Sequence, residues 1–334
     1  MASQSHSVIH VESSCCEVNR TDHNPQVIPL VSAYVAVMFG YVNALALAVF
    51  TGAVGLVTNT ANISVYLKMG FSETTNISFF ALSIFDLLVS ASTVLAQITY
   101  NQPVSGMRLS SGVPISEIGI AACYVMYPCL GCSAWITAIL SIERCLCIAT
   151  PLKVKEIFTP NRTTALILTM VAYESVFVTL FFTYPGAPYD SYDPRRALYF
   201  IFSFSAPSFI SFFIVLVSTS ILVVRLRQNL EWRKEAAKQS SSGCGSPRER
   251  KAARCVVAIC VIFIICFAPN VTLFIVTLLY SKFSLHDPYL GNLLTVLYSF
   301  SILFQVLSSA VNIVVYYGMS VKYREGFNAL FCRC

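Results

Sequence analysis

Apolar residues in this chain gather into seven long runs, at roughly 30–66, 74–100, 116–147, 163–184, 196–225, 254–280 and 289–317. Charges or turn residues bound each run. A bilayer core takes about 20 residues of helix, so every run is long enough to cross one. The fourth is the weakest, because Glu174 interrupts it. The third holds 25 residues without a charge, Ile118 to Ile142, and then meets Glu143-Arg144. An ionised group at mid-bilayer costs at least ~2.5–3.5 kcal/mol, which places that pair at the membrane–water boundary. Pro151, Lys153 and Lys155 follow, as expected of a helix end with a cytoplasmic flank. After the seventh run, Tyr323, Phe327 and Phe331 fall on one face of Val321–Phe331, which predicts a short interfacial helix.

Composition agrees with this pattern. Of 334 residues, 56% are hydrophobic and 11% charged, with a mean hydropathy of +0.69. Soluble domains are nearer a quarter charged. The fold class predicted is an all-α membrane protein, a seven-transmembrane helix bundle with a short amphipathic helix after the seventh span. Its parts are an extracellular tail at 1–29, the bundle at 30–317 with a cytoplasmic loop at 226–253, and an amphipathic helix and tail at 318–334. The first 26 residues are mostly polar, so no cleavable leader is expected.

Charge orients the bundle. Alternating the loops puts 17 of the 22 Lys and Arg residues on one side, leaving Arg20, Arg108, Arg195, Arg196 and Lys282 on the other. The positive-inside rule then places the amino terminus outside the plasma membrane. The net charge of +6 is read as this topology signal, not as a nucleic-acid footprint. Asn19 begins a sugar-acceptor sequon on the outer tail, whereas those at Asn62, Asn76, Asn161 and Asn270 lie in spans or inner loops and should be silent. Most of the 13 cysteines sit in apolar runs as small hydrophobes. Cys332 and Cys334 end at the membrane surface, either as palmitate acceptors or as free thiols.

Helix rise places the intramembrane polar groups at comparable depth. Asp86 is about 20 Å in from Glu73, Ser133 about 16 Å in from Arg144, and Asn59 about 14 Å in from Lys68. Asn312 and Ser309 are roughly 15 and 20 Å in from Lys322. A carboxylate in that slab needs partners, water or a cation. The alternatives are a protonated Asp86 with incidental neighbours, or a hydrated Na+ pocket of hard oxygen donors. Glu174, about 18 Å in from Arg162, is either a ligand contact or a protonated group bonded to a neighbouring helix. His6, His10, His23 and His286 all lie outside the spans, and no GxSxG or HExxH occurs. An enzyme is therefore not expected. Pro207 and Pro269 interrupt spans five and six, where prolines mark kinks.

These motifs together resemble the rhodopsin-like (class A) G-protein-coupled receptors. The matching residues are Gly55-x3-Asn59, Leu82-Ser-Ile-Phe-Asp86, Glu143-Arg144-Cys145, Phe267-Ala-Pro269 and Asn312-Ile-Val-Val-Tyr316, in order and in the expected spans. Tyr of the Asp/Glu-Arg-Tyr motif, Trp of the Trp-x-Pro switch and the proline of Asn-Pro-x-x-Tyr are replaced. Ser72–Ser83, Cys145-Leu-Cys and Thr150-Pro-Leu-Lys look most like invertebrate members. Those include FMRFamide-type neuropeptide receptors and orphan chemosensory receptors of molluscs.

The resemblance implies an extracellular ligand, a heterotrimeric G protein as partner, and no cofactor beyond an allosteric Na+. It implies that Arg144 pairs with Glu143 and Glu249 to close the cytoplasmic face. Pro207, Phe267, Pro269, Asn312 and Tyr316 become switch residues. The ligand pocket implied lies between the outer halves of the spans, with candidates Gln97, Tyr100, Met126, Tyr127, Tyr199, Phe267, Asn270, Phe274, Tyr298 and Gln305. Met126 stands where amine receptors carry an aspartate, so a peptide is favoured over an amine. The family's outer disulfide has no counterpart, since Tyr184–Ala197 lacks cysteine and Gly119 holds the other position. Cys123 with Cys15 or Cys16 is the remaining pairing to consider. A transporter or channel subunit is the competing class, expected to show internal repeats or broken helices.

Overall fold

The computed structural model describes residues 28–100, 104–110, 112–150, 154, 156–183, 201–236, 247–280 and 282–332, excepting the side chains at 100, 104, 177–178, 180–183, 203–204, 229–236 and 247–252. Among these residues the chain is helical, apart from turns and one isolated bridge between Arg108 and Pro114. The spans are α1 (Ala33–Met69), α2 (Thr74–Tyr100), α3 (Ile115–Ala149), α4 (Pro160–Thr183), α5 (Ala206–Ala236), α6 (Pro247–Leu279) and α7 (Gly291–Met319). The terminal amphipathic helix is α8 (Val321–Phe331).

Six of the spans are both long and apolar enough to cross a membrane. The seventh, α4, has 24 residues, or about 36 Å of rise, and carries the buried Glu174. Each helix touches its neighbours in a closed order: α1 packs on α2, α2 on α3, α3 on α4 and α5, α5 on α6, α6 on α7, and α7 back on α1. α3 is the axis, with residues 128–134 and 136–141 all buried. α1 lies at the rim and leaves Val37, Phe50, Val57 and Leu67 exposed on its outer side.

Lipid tails are as apolar as leucine, so close packing rather than water exclusion holds such helices together. Gly55 shows how close the approach is, since a Cβ there would lie 2.2 Å from Ser90 Oγ on α2. Two π-helical segments bend the backbone. Tyr41–Ala48 lies within α1, and its Asn43 donates to Ser299 Oγ of α7 at 2.9 Å. Ile201–Ser205 leads into α5 just ahead of Pro207, whose ring nitrogen has no hydrogen to give the preceding turn. Pro128 and Pro269 lie inside continuous helices α3 and α6. Pro128 is an addition to the two intraspan prolines flagged above.

Candidate functional site

Two buried polar assemblies run down the bundle axis. The deeper one centres on Asp86 of α2, only 2% exposed. Ser133 of α3 donates to its Oδ1 at 2.6 Å, and Asn312 Nδ2 of α7 donates to its Oδ2 at 2.8 Å. Ser309, one turn before Asn312, lies against the same carboxylate. Helix pitch explains the convergence: residues 305, 309, 312 and 316 recur at spacings of four, three and four, which is one face of α7. The oxygens of Asp86, Ser133, Ser309 and Asn312 form a hard donor set of the kind that suits a small hard cation. Asn312 Oδ1 is buried without a partner among the described residues, so one such donor remains uncommitted.

Asn59 occupies the same slab but is engaged elsewhere. Its Nδ2 donates to the main-chain oxygens of Gly55 at 3.0 Å and Ser309 at 2.9 Å, and its Oδ1 accepts from Asn62 at 3.2 Å. It ties α1 to α7 instead of turning to the carboxylate, because the α1 rotation that seats Gly55 on Ser90 faces Asn59 toward the α7 backbone. Among the described residues no three His, Cys, Asp or Glu side chains gather as a metal site.

The second assembly lies at the cytoplasmic end. Glu143 is 3% exposed, and its Oε1 accepts from Thr74 Oγ1 at 2.5 Å and from Arg144 Nη2 at 3.2 Å. The pair therefore faces the bundle interior, not lipid. Among the described residues Glu143 Oε2 and Arg144 Nε have no partner. Glu249 lies on the first turn of α6, with its side chain outside the described residues. Thr74 is a contact that sequence reasoning missed, although it begins α2 at the depth where Glu143 ends α3. Tyr316 of α7 is fully buried and meets Tyr66 edge-on at 5.5 Å and Phe79 at 4.8 Å.

The ligand-pocket candidates divide by surroundings. Met126 is 1% exposed and accepts a hydrogen bond from Thr93 Oγ1 on its sulfur at 3.3 Å. Phe267 stacks on Phe263 at 4.1 Å, and Phe274 meets Phe209 at 6.0 Å. Asn270 Oδ1 accepts from Ser301 at 3.5 Å. Gln305 is 1% exposed, and among the described residues neither its amide nitrogen nor its oxygen has a partner. Gln97, Tyr127 and Tyr298 are half-buried. The Tyr100 side chain and all of Tyr199 lie outside the described residues, as do Asn19, Cys15, Cys16 and Cys334. Cys123 is a half-buried free thiol and Cys332 an exposed one.

Glu174 faces α3 within electrostatic reach of Cys129 and Cys132. Among the described residues neither of its oxygens has a partner.

A ring of seven helices, with an acid–arginine pair closing one end and a polar cluster at mid-depth, has the architecture of a membrane receptor. The family profile described as 7 transmembrane receptor (rhodopsin family) matches residues 59–316, well over half of the chain, and the chain belongs to that family. Comparison with curated proteins returned no match. The protein is a multi-pass membrane receptor.

Proposed function

We propose that this receptor sits in the plasma membrane with its amino terminus outside, binds an extracellular ligand between the outer halves of its spans, and activates a heterotrimeric G protein. The observation that carries the reading is the Glu143–Arg144 pair, buried and held by Thr74 at the cytoplasmic end of the most enclosed helix. In the closed arrangement Arg144 is withheld. A ligand that fits the open arrangement better shifts the population toward it. α6 then swings outward about Pro269, where the helix lacks one backbone hydrogen bond, and Arg144 becomes available to the G protein. Glu249, about 30 Å along α6 from Pro269, reaches the cytoplasmic end and adds a second hold on Arg144.

The ligand class favoured is a peptide, of the neuropeptide or chemosensory kind. Met126 offers no charge to an amine, and the other described outer-half candidates are aromatic or amide-bearing. Asp86, Ser133, Ser309 and Asn312 would hold Na+, which supplies neutralisation of the buried carboxylate when bound. Asn19 is the glycosylation site, and Cys332 and Cys334 carry palmitate that fastens α8 to membrane lipid. The deciding experiment is a peptide screen with a promiscuous G-protein readout in cells expressing the wild-type chain or Arg144→Ala. Peptide-dependent signal lost in Arg144→Ala supports the reading. Ligand-driven flux through vesicles without G-protein turnover would replace it with a transporter or channel.

A further inference from the structure

The connection between α2 and α3 folds into a small hairpin that belongs to neither polar assembly. Leu109 N donates to Val113 O at 2.9 Å, Gly112 N to Leu109 O at 2.8 Å, and Ile115 N to Met107 O at 2.9 Å. Gly112 takes a φ of 83°, the left-handed conformation that the tight turn needs. Arg108 and Pro114 are directly opposed across the hairpin. Side chains alternate along extended backbone and opposed residues share a side. Met107, Leu109, Val113 and Ile115 therefore lie on one face, and Arg108 on the other. The apolar face is uncovered: Met107 is 52% exposed, Leu109 43% and Val113 39%. Arg108 is exposed as well, with one guanidinium nitrogen donating to Gly112 O at 2.8 Å.

Depth decides what covers that face. From Arg144 to Ile115, α3 rises about 43 Å, or about 41 Å at an ordinary tilt of ~20°. The 27 residues of α2 rise about 40 Å. A bilayer with its headgroups is ~40–45 Å thick, and Arg144 stands at one boundary of it. The hairpin thus lies in the headgroup layer of the opposite leaflet, just beyond the exposed side of α2 that carries Leu88, Leu95 and Ile98. An apolar face backed by an arginine lodges in such a layer, with its side chains toward the acyl boundary and its guanidinium among phosphates. We infer that Met107, Leu109 and Val113 form a lipid-docking face, and that Arg108 meets phospholipid phosphate in the leaflet opposite the Glu143–Arg144 end. This needs only that the chain crosses a membrane and does not depend on the ligand reading. The hairpin joins the helix ends nearest Gln97 and Met126, so lipid docked there steadies that rim of the bundle.

The test uses the full chain in phosphatidylcholine nanodiscs, with tryptophan as a reporter on each face. Leu109→Trp should lose about half of its added fluorescence to lipids brominated near the headgroup, less to lipids brominated near the chain ends, and little to aqueous iodide. Arg108→Trp, on the opposite face, should be quenched more by iodide than by bromolipid. Leu109→Asp should raise amide exchange over 104–115 about ten-fold, the scale of one aliphatic side chain returned to water. Ser110→Asp, on the turn, should leave exchange near wild type. Arg108→Glu should weaken the bromolipid quenching of Leu109→Trp in phosphatidylcholine, but not in discs of an uncharged glycolipid without phosphate. Iodide quenching of Leu109→Trp without bromolipid quenching would assign the face to water or a soluble partner and overturn the lipid dock. Wild-type exchange in Leu109→Asp would overturn it too. Quenching in phosphatidylcholine indifferent to Arg108→Glu would overturn the phosphate contact. None of these measurements passes through a G protein, so their failure is distinct from failure of the receptor reading.

Discussion

The seat of α8 and two positions deeper in this bundle treat buried polarity differently. From α8 into α1, Tyr323, Asn62 and Asn59 are joined in a continuous chain of hydrogen bonds. Gln305 of α7 and Glu174 of α4 are buried too, yet among the described residues no nitrogen or oxygen of either side chain has a partner. Asp86 lies at the border, with both oxygens engaged. A buried polar group without a partner forfeits about 1–3 kcal/mol. The seat of α8 is therefore satisfied within the fold, whereas Gln305 and Glu174 carry polar capacity that an incoming group would complete.

The contrast can be broken experimentally. The largest effect is expected from Asp86→Leu, which leaves Ser133 and Asn312 without their acceptor. Thermal unfolding in detergent should register a loss of roughly 2–4 kcal/mol. A rise in stability would mean that the carboxylate is a burden and the cluster no anchor. Gly55→Ala comes next. Its Cβ collides with Ser90, and overpacking of this kind costs about 1–3 kcal/mol, to be read as lower surface expression and melting temperature.

Gln305→Leu sharpens the comparison by reversing the sign. Removing an unpaired amide should stabilise the ligand-free protein by about 1 kcal/mol while weakening the response to any peptide agonist. If it destabilises as Asp86→Leu does, the Gln305 amide is paired as Asp86 is. Glu249→Ala should raise ligand-independent signalling a few-fold at unchanged surface level, and constant basal activity would remove Glu249 from the hold on Arg144. The smallest effect belongs to Glu73→Ala. It breaks an exposed ion pair with Lys322 at 2.8 Å and should cost under about 1 kcal/mol in the melt.

Much of this was legible in one dimension. The bilayer fixes the length of an apolar run, so the seven crossings, the weakness at Glu174 and the amphipathic face of Val321–Phe331 follow from residue order alone. Depth was legible too: equal rise per residue put Asp86, Ser133, Ser309 and Asn312 in one slab, and they meet there. Rotation about each helix axis was not. Asn59 shares that slab yet turns to Asn62 and the Ser309 backbone, and Thr74 reaches Glu143 from another helix without any motif to announce it. Spacing puts Tyr323 on one face with Phe327 and Phe331, but it is the Ser320 cap and the gap at Gly326 that carry Tyr323 inside the bundle. Residue order thus settled how far each group lies along the membrane normal, because a helix converts count into height. Which neighbour each group meets at that height was left to packing, because the azimuth of a helix is set by the surfaces pressed against it.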